Sequence, residues 1–301
     1  MVDFRIAINP RHNALGYVFF PIFALNRIIM KRIVLVFIVC CIGLSLFAQA
    51  DKQVVYKQID TVSLMMDIYF PQGIETSDSH PAMVFFFGGG WNGGTVKQFE
   101  EHAKYYAGKG IVCFLAQYRV KNTHGTTPFE SLEDAKSAVR FIRENAKKFK
   151  INPEKIIASG GSAGGHLAAA TALIEGYDDE GDDLSISCIP NALVLFNPVI
   201  DNGPGGYGFE RIGSEYKDFS PLHNIMEGAP PTLFLVGTND NLIPVETAKY
   251  YQKVMETVGS RCDLKLYEGK GHGWFNYRNL EDYKETIEDV DGFLESMGYL
   301  L

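Results

Sequence analysis

The sequence predicts an α/β fold: a mostly parallel central sheet with an antiparallel N-terminal strand and helices on both faces. Two observations predict it. After residue 51, short apolar runs bounded by turn residues alternate with longer segments whose apolar residues recur every three or four positions. Runs of the first kind are typical of strands covered on both faces, and segments of the second kind of helices with one buried face. Their regular alternation indicates βαβ units and hence parallel strands.

Predicted strands and helices alternate along most of the chain after residue 51. Residues 63–70 ("SLMMDIYF") alternate apolar and polar positions, as a half-exposed antiparallel strand does. Continuous apolar runs predict further strands at residues 82–87, 111–116, 155–159, 192–196, 232–237 and 263–267. Helical patterns occupy residues 96–108, 129–148, 163–175, 244–258 and 279–297. Residues 201–215 are Gly-rich and aperiodic, which indicates a surface loop or a partial lid, and residues 51–301 are expected to form a single domain.

Composition and charge narrow the class of protein. Of 301 residues, 46% are hydrophobic and 21% are charged, which is a globular composition with enough apolar material for a large core. Residues 1–50 carry a net charge of +4 against −8 for the whole chain, which leaves −12 for the remainder. An acidic body without a basic stripe disfavours nucleic acid as a partner.

Residues 1–50 are predicted to be an N-terminal extension and a signal peptide. Lys31 and Arg32 precede the 16-residue apolar run of residues 33–48, and an A-x-A site follows at residues 48–50. A basic start, a short apolar run and a small-residue site are typical of secretory signal peptides. The run is shorter than the ~20 residues of a membrane span, so an uncleaved anchor is the less favoured alternative.

The signal pattern also indicates where the mature chain begins. Residues 1–29 fit no signal pattern, so we expect translation to start at Met30 rather than Met1, and cleavage to follow Ala50. A lipoprotein is disfavoured because Val39, which is not a small residue, precedes Cys40. The protein is therefore expected to be secreted or periplasmic, with no stable insertion in a membrane.

Cysteine use indicates that disulfides do not hold the mature protein together. Removal of the signal peptide leaves Cys113, Cys188 and Cys262, an odd number. Cys113 and Cys262 lie in strand-like runs, where a buried free thiol is the expected state.

One serine stands among four glycines at a strand-to-helix junction. Gly160-x-Ser162-x-Gly164 follows the apolar run at residues 155–159 and precedes an Ala-rich helical segment. In this context the motif predicts a nucleophile elbow, a tight strained turn that raises the serine hydroxyl above the sheet. An ordinary Gly-Ser loop is the alternative. We therefore expect Ser162 to be a nucleophile.

A serine nucleophile needs a base and an orienting carboxylate, which in this arrangement follow in the order Ser, Asp, His. Asp240 follows one predicted strand and His272 follows the next. His166 lies inside the helix after Ser162, so it is a poor rival for the base. Asp201 also follows a strand, but it is better explained as a turn residue that bonds its own loop. For His272 the alternative is a loop histidine bound to nearby backbone.

The transition state for attack by Ser162 needs hydrogen-bond donors for an oxyanion. The backbone N–H of Ala163 is one, and the loop "GGG" after the strand at 82–87 supplies Gly89 and Gly90 as the others. A flexible turn is the alternative for this loop. Trp91 and Trp274 flank the expected site and have two interpretations: stacking on sugar or aryl groups, or packing beneath their loops.

Together these segments resemble the esterase branch of the α/β-hydrolase family. The likeness is strongest to secreted bacterial carbohydrate esterases of the acetylxylan and feruloyl type, which are related to hormone-sensitive lipase. It covers nearly all of residues 54–297 and includes "QYRV" at 117–120, "NPVID" at 197–201 and "GTNDNLIPVE" at 237–246. The resemblance implies an α/β-hydrolase fold and ester hydrolysis through an acyl-enzyme, without a metal or an organic cofactor.

Carried over by position, the family's functional residues coincide with those found from the motifs. Its triad matches Ser162, Asp240 and His272, and its oxyanion donors match Gly89, Gly90 and Ala163. The resemblance implies a carbohydrate ester such as acetylated xylan as substrate. A general short-chain carboxylesterase or lipase-like hydrolase is an alternative, and a non-catalytic binding protein of the same fold is another.

One departure from the family concerns the glycine loop. The family usually has His-Gly-Gly-Gly, and here Phe87 stands in the histidine position. That histidine is not the base but holds the loop through hydrogen bonds. We therefore expect the loop to be held by the packing of Phe87 alone.

Overall fold

The computed structural model describes residues 50–76 and 79–300, and in this part of the chain eight strands form one sheet. The strands are β1 (Lys52–Ile59), β2 (Val62–Tyr69), β3 (His80–Phe86), β4 (Val112–Ala116), β5 (Ile151–Gly161), β6 (Ala192–Phe196), β7 (Thr232–Gly237) and β8 (Cys262–Tyr267). Their order across the sheet is β1-β2-β4-β3-β5-β6-β7-β8. The pairs β1–β2 and β2–β4 are antiparallel, and the strands from β4 to β8 run parallel.

Among the residues that the structure describes, five longer helices cover the sheet: α1 (Glu100–Gly108), α2 (Pro128–Glu144), α3 (Ala163–Leu173), α4 (Val245–Thr257) and α5 (Leu280–Ser296). Short α-helical turns lie at Lys121–His124, Ala146–Phe149, Phe209–Ile212 and Tyr216–Phe219. Short 3₁₀ turns lie at Ile74–Thr76, Val96–Phe99, Gly213–Glu215 and Pro221–Asn224. The predicted signal peptide and its cleavage site at Ala50 fall almost wholly outside the described residues.

Two apolar layers hold the helices against the sheet. Side chains of α2, α3 and α4 pack in one cluster, and those of α1 and α5 pack in another. Successive residues of β3 divide between them, with Val84 and Phe86 in the first layer and Met83 and Phe85 in the second. Alternation of this kind places one helical layer on each face. The predicted mostly parallel sheet with helices on both faces is confirmed.

The structure corrects the predicted strands and helices in three places. An unpredicted strand, β1, pairs with β2, and a bulge between Val55 and Lys57 turns Tyr56 and Lys57 inward together, which removes the alternation that would have indicated a strand. The predicted strand at 155–159 runs over Ile151–Gly161, since the glycine pair at its end still bonds to both neighbouring strands. The predicted helix at 129–148 is interrupted at Asn145, which caps α2.

Several loops with polar side chains meet at one edge of the sheet. The carboxyl ends of parallel strands lie on the same side, and the segments that follow β3, β5, β6, β7 and β8 all leave from this edge. Those segments carry the glycine loop, Ser162, Asn197, Asp240 and His272. The fold therefore brings together residues that are up to 184 positions apart, from Gly88 to His272.

Candidate active site

The turn at Ser162 is strained and depends on its glycines. Ser162 has φ 54° and ψ −118°, a conformation that L-residues rarely adopt. A Cβ at Gly160 would lie 2.3 Å from the carbonyl oxygen of Gly164, and one at Gly164 would lie 2.0 Å from the carbonyl oxygen of Phe86. Only glycine permits this approach of strand, turn and helix. The backbone N–H of Ser162 bonds to the carbonyl of Phe196 at 3.0 Å, which fixes the turn to the next strand.

The structure brings Ser162, His272 and Asp240 into one chain of hydrogen bonds. Ser162 Oγ lies 2.9 Å from His272 Nε2, and His272 Nδ1 lies 2.8 Å from Asp240 Oδ2. An ionised carboxylate only accepts, so Nδ1 carries the proton and Nε2 accepts from the serine hydroxyl. His272 is therefore in the tautomer that a general base for Ser162 requires.

Hydrogen bonds from its own loop also hold the carboxylate of Asp240. Its Oδ1 accepts hydrogen bonds from the backbone N–H groups of Leu242 at 2.9 Å and Ile243 at 3.0 Å. The Asp240 side chain is inaccessible to solvent, whereas that of His272 is 24% exposed. The carboxylate is thus fixed by its own loop, and the imidazole still faces the solvent side of the site.

The glycine loop lies directly against Ser162. A Cβ built on Gly88 would lie 3.4 Å from Cβ of Ser162. In residues 50–76 and 79–300, the backbone amides of Gly89, Gly90 and Ala163 have no hydrogen-bond acceptor. Ala163 is the first residue of α3, where the amide has no partner within the helix. All three amides are available as donors, and their role in binding an oxyanion stays a prediction.

Hydrogen bonds as well as packing hold the glycine loop, so the expectation that Phe87 acts by packing alone is wrong. The hydroxyl of Tyr118 donates to the carbonyl of Phe87 at 2.6 Å, and the two rings are stacked. The amide of Gly88 donates to Gln98 Oε1 at 2.6 Å, and Gln98 Nε2 in turn donates to Asn276 Oδ1 at 3.0 Å. Tyr118 and Gln98 thus supply the hydrogen bonds that the side chain of Phe87 cannot make.

Asn197 is a site residue that sequence reasoning missed. It follows β6 with a positive φ of 35°. Its Oδ1 accepts from the amide of Gly273 at 3.0 Å, and its Nδ2 lies 3.4 Å from His272 Nε2. The sequence carries one signal of this role, an Asn-Pro pair at residues 197–198, directly after a buried strand. Asn197 fixes the loop that carries His272.

The two rivals for the triad have other partners. His166 Nε2 donates to the carbonyl of Phe219 at 2.9 Å, and burial lowers the pKa of His166 to about 4. Asp201 Oδ1 accepts from the amide of Gly203 at 2.8 Å, so the interpretation of Asp201 as a turn residue is confirmed. The hydrogen bonds of these two side chains thus go to backbone groups other than those of Ser162.

The two tryptophans pack beneath their loops instead of facing substrate. Trp91 is 1% exposed and Trp274 is 4% exposed. The Trp91 ring meets His166 edge-on with centroids 5.1 Å apart, and Trp274 packs on Tyr267 at 4.9 Å. Of the two interpretations given by the sequence, the burial of both rings supports packing.

Cysteines, possible metal ligands and apolar helices were compared with expectation in the part of the chain that the structure describes. There, the free cysteines Cys113, Cys188 and Cys262 are all buried, as expected. No group of three or more His, Cys, Asp or Glu side chains among these residues is arranged to hold a metal ion. Within the same ranges, no helix is both long and apolar enough to cross a bilayer.

Comparisons with known proteins show similarity to esterases. Residues 66–201 match the BD-FAE family, and residues 206–291 match the dienelactone hydrolase family. Esterase 2 of Thermogutta terrifontis, solved phosphoramylated by tabun, is 41% identical with a TM-score of 0.80, and the match covers 84% of this chain and 97% of that one. The same esterase with butyrate bound is 40% identical with a TM-score of 0.79, covering 83% and 95%.

A curated relative is more distant and longer. Acetylxylan esterase of Xylanibacter ruminicola is 25% identical over 281 residues, which are 85% of this chain and 53% of that protein. The chain thus spans about half the length of this relative. The solved esterase, in contrast, is matched over nearly its full length at 40–41% identity, with the same fold. The chain belongs to the α/β-hydrolase family of esterases.

Proposed function

We propose that the protein hydrolyses carboxylic esters through a covalent acyl-enzyme on Ser162. The observation that carries the proposal is the chain of hydrogen bonds from Ser162 Oγ through His272 to Asp240, at 2.9 and 2.8 Å. A serine hydroxyl is a weak nucleophile and becomes effective when a positioned base accepts its proton as it attacks. Family membership and the free amides beside Ser162 support the same reaction.

The reaction would proceed in two halves. Ser162 Oγ attacks the ester carbonyl carbon while its proton moves to His272 Nε2, and Asp240 stabilises the imidazolium that forms. Amides of Gly89, Gly90 and Ala163 donate to the oxyanion. His272 then returns the proton to the departing alcohol as the C–O bond breaks. In the second half, a water molecule attacks the acyl carbon with His272 as base, and Ser162 leaves as the free hydroxyl.

For the substrate we propose short-chain acyl esters of carbohydrates, acted on outside the cytoplasm. The acetylxylan esterase relative and the signal pattern in residues 1–50 support this choice. A general short-chain carboxylesterase is the second candidate, which the butyrate-bound neighbour favours. The acidic body of the chain suits neutral substrates better than anionic ones.

Turnover of p-nitrophenyl acetate by the wild type and by Ser162→Ala tests the reaction. We expect the variant to lose at least about 10⁴-fold in kcat, because the nucleophile is gone while binding remains. Thermal unfolding of both proteins serves as the control for folding. Equal hydrolysis by the two proteins would remove Ser162 from the mechanism, and no turnover by either would favour a binding protein of this fold.

A substrate panel tests the alcohol and the acyl group. Rates on acetylated xylan, feruloylated sugars and p-nitrophenyl esters of increasing chain length separate the two candidates. Preference for acetylated xylan supports the carbohydrate esterase, whereas preference for long acyl chains contradicts it. N-terminal sequencing of the exported product tests secretion, with a first residue at or near Asp51 expected.

A further inference from the structure

An arginine from the Gly-rich segment 201–215 reaches the glycine loop beside Ser162. Arg211 lies in the short helix Phe209–Ile212, and its Nη1 donates to the carbonyl of Gly90, 121 positions earlier in the chain. The guanidinium carbon lies 5.2 Å from the ring centroid of Trp91 and 5.3 Å from that of Tyr207. The Arg211 side chain is only 18% exposed. Its Nε also donates to the exposed carboxylate of Glu210 at 3.1 Å, so the side chain is held by two rings, a carbonyl and its neighbour in the chain.

Hydrogen bonds fix two peptide units of the glycine loop, the one between Phe87 and Gly88 and the one between Gly89 and Gly90. The carbonyl of Phe87 accepts from Tyr118, and the amide of Gly88 donates to Gln98. The carbonyl of Gly89 accepts from the amides of Asn92 at 3.1 Å and Gly93 at 3.4 Å. The C=O and N–H of one planar peptide point in opposite directions, so this bond turns the N–H of Gly90 to the other side.

The last unit of the loop depends on Arg211. Gly90 has φ 62° and no side chain to restrict it. The peptide before it is fixed through the carbonyl of Gly89, and the peptide after it is fixed only where Arg211 bonds the carbonyl of Gly90. The donors to the carbonyl of Gly89, the amides of Asn92 and Gly93, lie beyond this second peptide in the chain. Without the bond from Arg211, rotation of the second peptide can therefore also loosen the bonds that direct the amide of Gly90.

We propose that Arg211 is a positioning residue for ester hydrolysis: by holding the carbonyl of Gly90, it keeps the amide of Gly90 directed at the oxyanion. The inference rests on the function proposed above. It gives segment 201–215 a role, because the short helix it contains supplies the arginine and Tyr207 supplies one of the rings beneath it. The hydroxyl of Tyr207 would lie 2.4 Å from a Cβ at Gly90, so this segment also restricts the space around the glycine.

Direct contact with substrate is the rival role for Arg211. The guanidinium lines a surface groove of about 510 Å³, together with Asn92, Lys121, Gly206, Tyr207, Gly208 and Glu210. A residue that binds the alcohol part of an ester changes KM, and by an amount that depends on the alcohol. A residue that positions an oxyanion donor changes kcat, by a similar factor for all esters.

Kinetics of Arg211→Met and Arg211→Lys separate the two roles. Methionine keeps an apolar stem over the rings but has no donor, whereas lysine keeps a charged donor. We expect Arg211→Met to lose about 10-fold or more in kcat with KM changed by less than about 2-fold, and by the same factor for acetate and butyrate esters of p-nitrophenol and for an acetylated sugar. Arg211→Lys should recover part of the loss. The rate of phosphonylation by an organophosphorus ester should fall in parallel, since its phosphoryl oxygen needs the same donors.

Arg143→Met is the matched control. Arg143 also donates to backbone carbonyls, those of Ser187 and Ile189, but these precede β6 and lie at the opposite edge of the sheet. Its loss should lower Tm and leave kcat unchanged. Wild-type kcat in folded Arg211→Met, or a rise in KM confined to one alcohol, would overturn the proposal. Absence of turnover by the wild type would overturn the proposed function instead, and the role of Arg211 with it.

Discussion

The ring of Phe87 stacks on the ring of Tyr118, with centroids 4.1 Å apart and planes 16° from parallel. The same tyrosine donates its hydroxyl to the carbonyl of Phe87 at 2.6 Å. Phe87 directly follows β3 and Tyr118 follows β4, which is its neighbour in the sheet. One side chain thus supplies both packing and a hydrogen bond to the start of the glycine loop.

Tyr118→Phe removes this hydrogen bond and keeps the stacked ring. We expect the free energy of unfolding to fall by about 1–3 kcal/mol, because the buried carbonyl of Phe87 loses its donor. We also expect kcat to fall several-fold, since the loop that follows the carbonyl becomes less well placed. Urea unfolding and hydrolysis of p-nitrophenyl acetate measure the two effects.

Tyr106→Phe is the control for that change. Tyr106 is also buried, and its hydroxyl has no hydrogen-bond partner among residues 50–76 and 79–300. Its removal should leave both stability and kcat unchanged, or slightly raise stability. Equal effects of the two substitutions would show that the bond from Tyr118 to Phe87 contributes nothing.

Asp240→Asn is expected to lower kcat by about 10⁴-fold while KM changes little. The amide has the shape of the carboxylate, but its NH₂ group can donate to His272 and so favour the tautomer with the proton on Nε2. That tautomer cannot accept from Ser162. Steady-state kinetics at pH 7 give the two constants, and a kcat within 10-fold of the wild type would show that Asp240 does not orient the histidine.

Sequence reasoning found the parts of the site that follow strands directly. Ser162, Asp240 and His272 each come after a predicted strand, and parallel strands end at one edge, so their convergence follows from chain order. The strands β3, β4, β6 and β7 and the second half of β5 were identifiable because burial on both faces leaves an uninterrupted apolar run. Such features depend on local pattern and on the handedness of βαβ units.

The missed features depend on contacts between distant segments. Arg211 lies in an aperiodic Gly-rich segment, and its partner Gly90 is far away along the chain, so no spacing relates them. Asn197 gave only the weak signal of an Asn-Pro pair after a strand. β1 was missed because its bulge breaks the period of two. Long-range hydrogen bonds and irregular backbone leave little trace in a single sequence.

The buried histidine His102 makes stability depend on pH. It is fully buried beside the rings of Phe99 and Tyr283, and neither of its ring nitrogens has a hydrogen-bond partner in the described part of the chain. Burial lowers the pKa of His102 from its usual 6.5 to about 3. Between these two values the unfolded chain binds the proton and the folded chain does not, so stability is lost as pH falls below 6.5.

His102→Leu tests this dependence with a side chain of similar volume that does not titrate. Between pH 7.5 and pH 5 we expect the wild type to lose about 2 kcal/mol more than the variant in urea unfolding. His166, whose pKa burial lowers to about 4, keeps contributing in both proteins, so some loss persists in the variant. Parallel decreases in the two proteins would show that His102 is not the source.

The close approach of α3 to the glycine loop predicts that Gly164→Ala damages both stability and catalysis. The added methyl would lie 2.0 Å from the carbonyl oxygen of Phe86 and 2.4 Å from that of Phe87, and backbone atoms cannot move aside cheaply. We expect a loss of about 2–3 kcal/mol in unfolding free energy and of about 10²-fold in kcat, because the helix must shift and Ser162 shifts with it.

Gly292→Ala separates this clash from a general intolerance of alanine. Gly292 lies in α5 with nothing within 4 Å of a built Cβ, and alanine there should stabilise the protein by about 0.5–1 kcal/mol with kcat unchanged. Chemical denaturation and steady-state kinetics on both variants make the comparison. If Gly164→Ala kept wild-type stability and kcat, the loop and the helix would have room between them, and the close fit that places the amides of the glycine loop beside Ser162 would not be required.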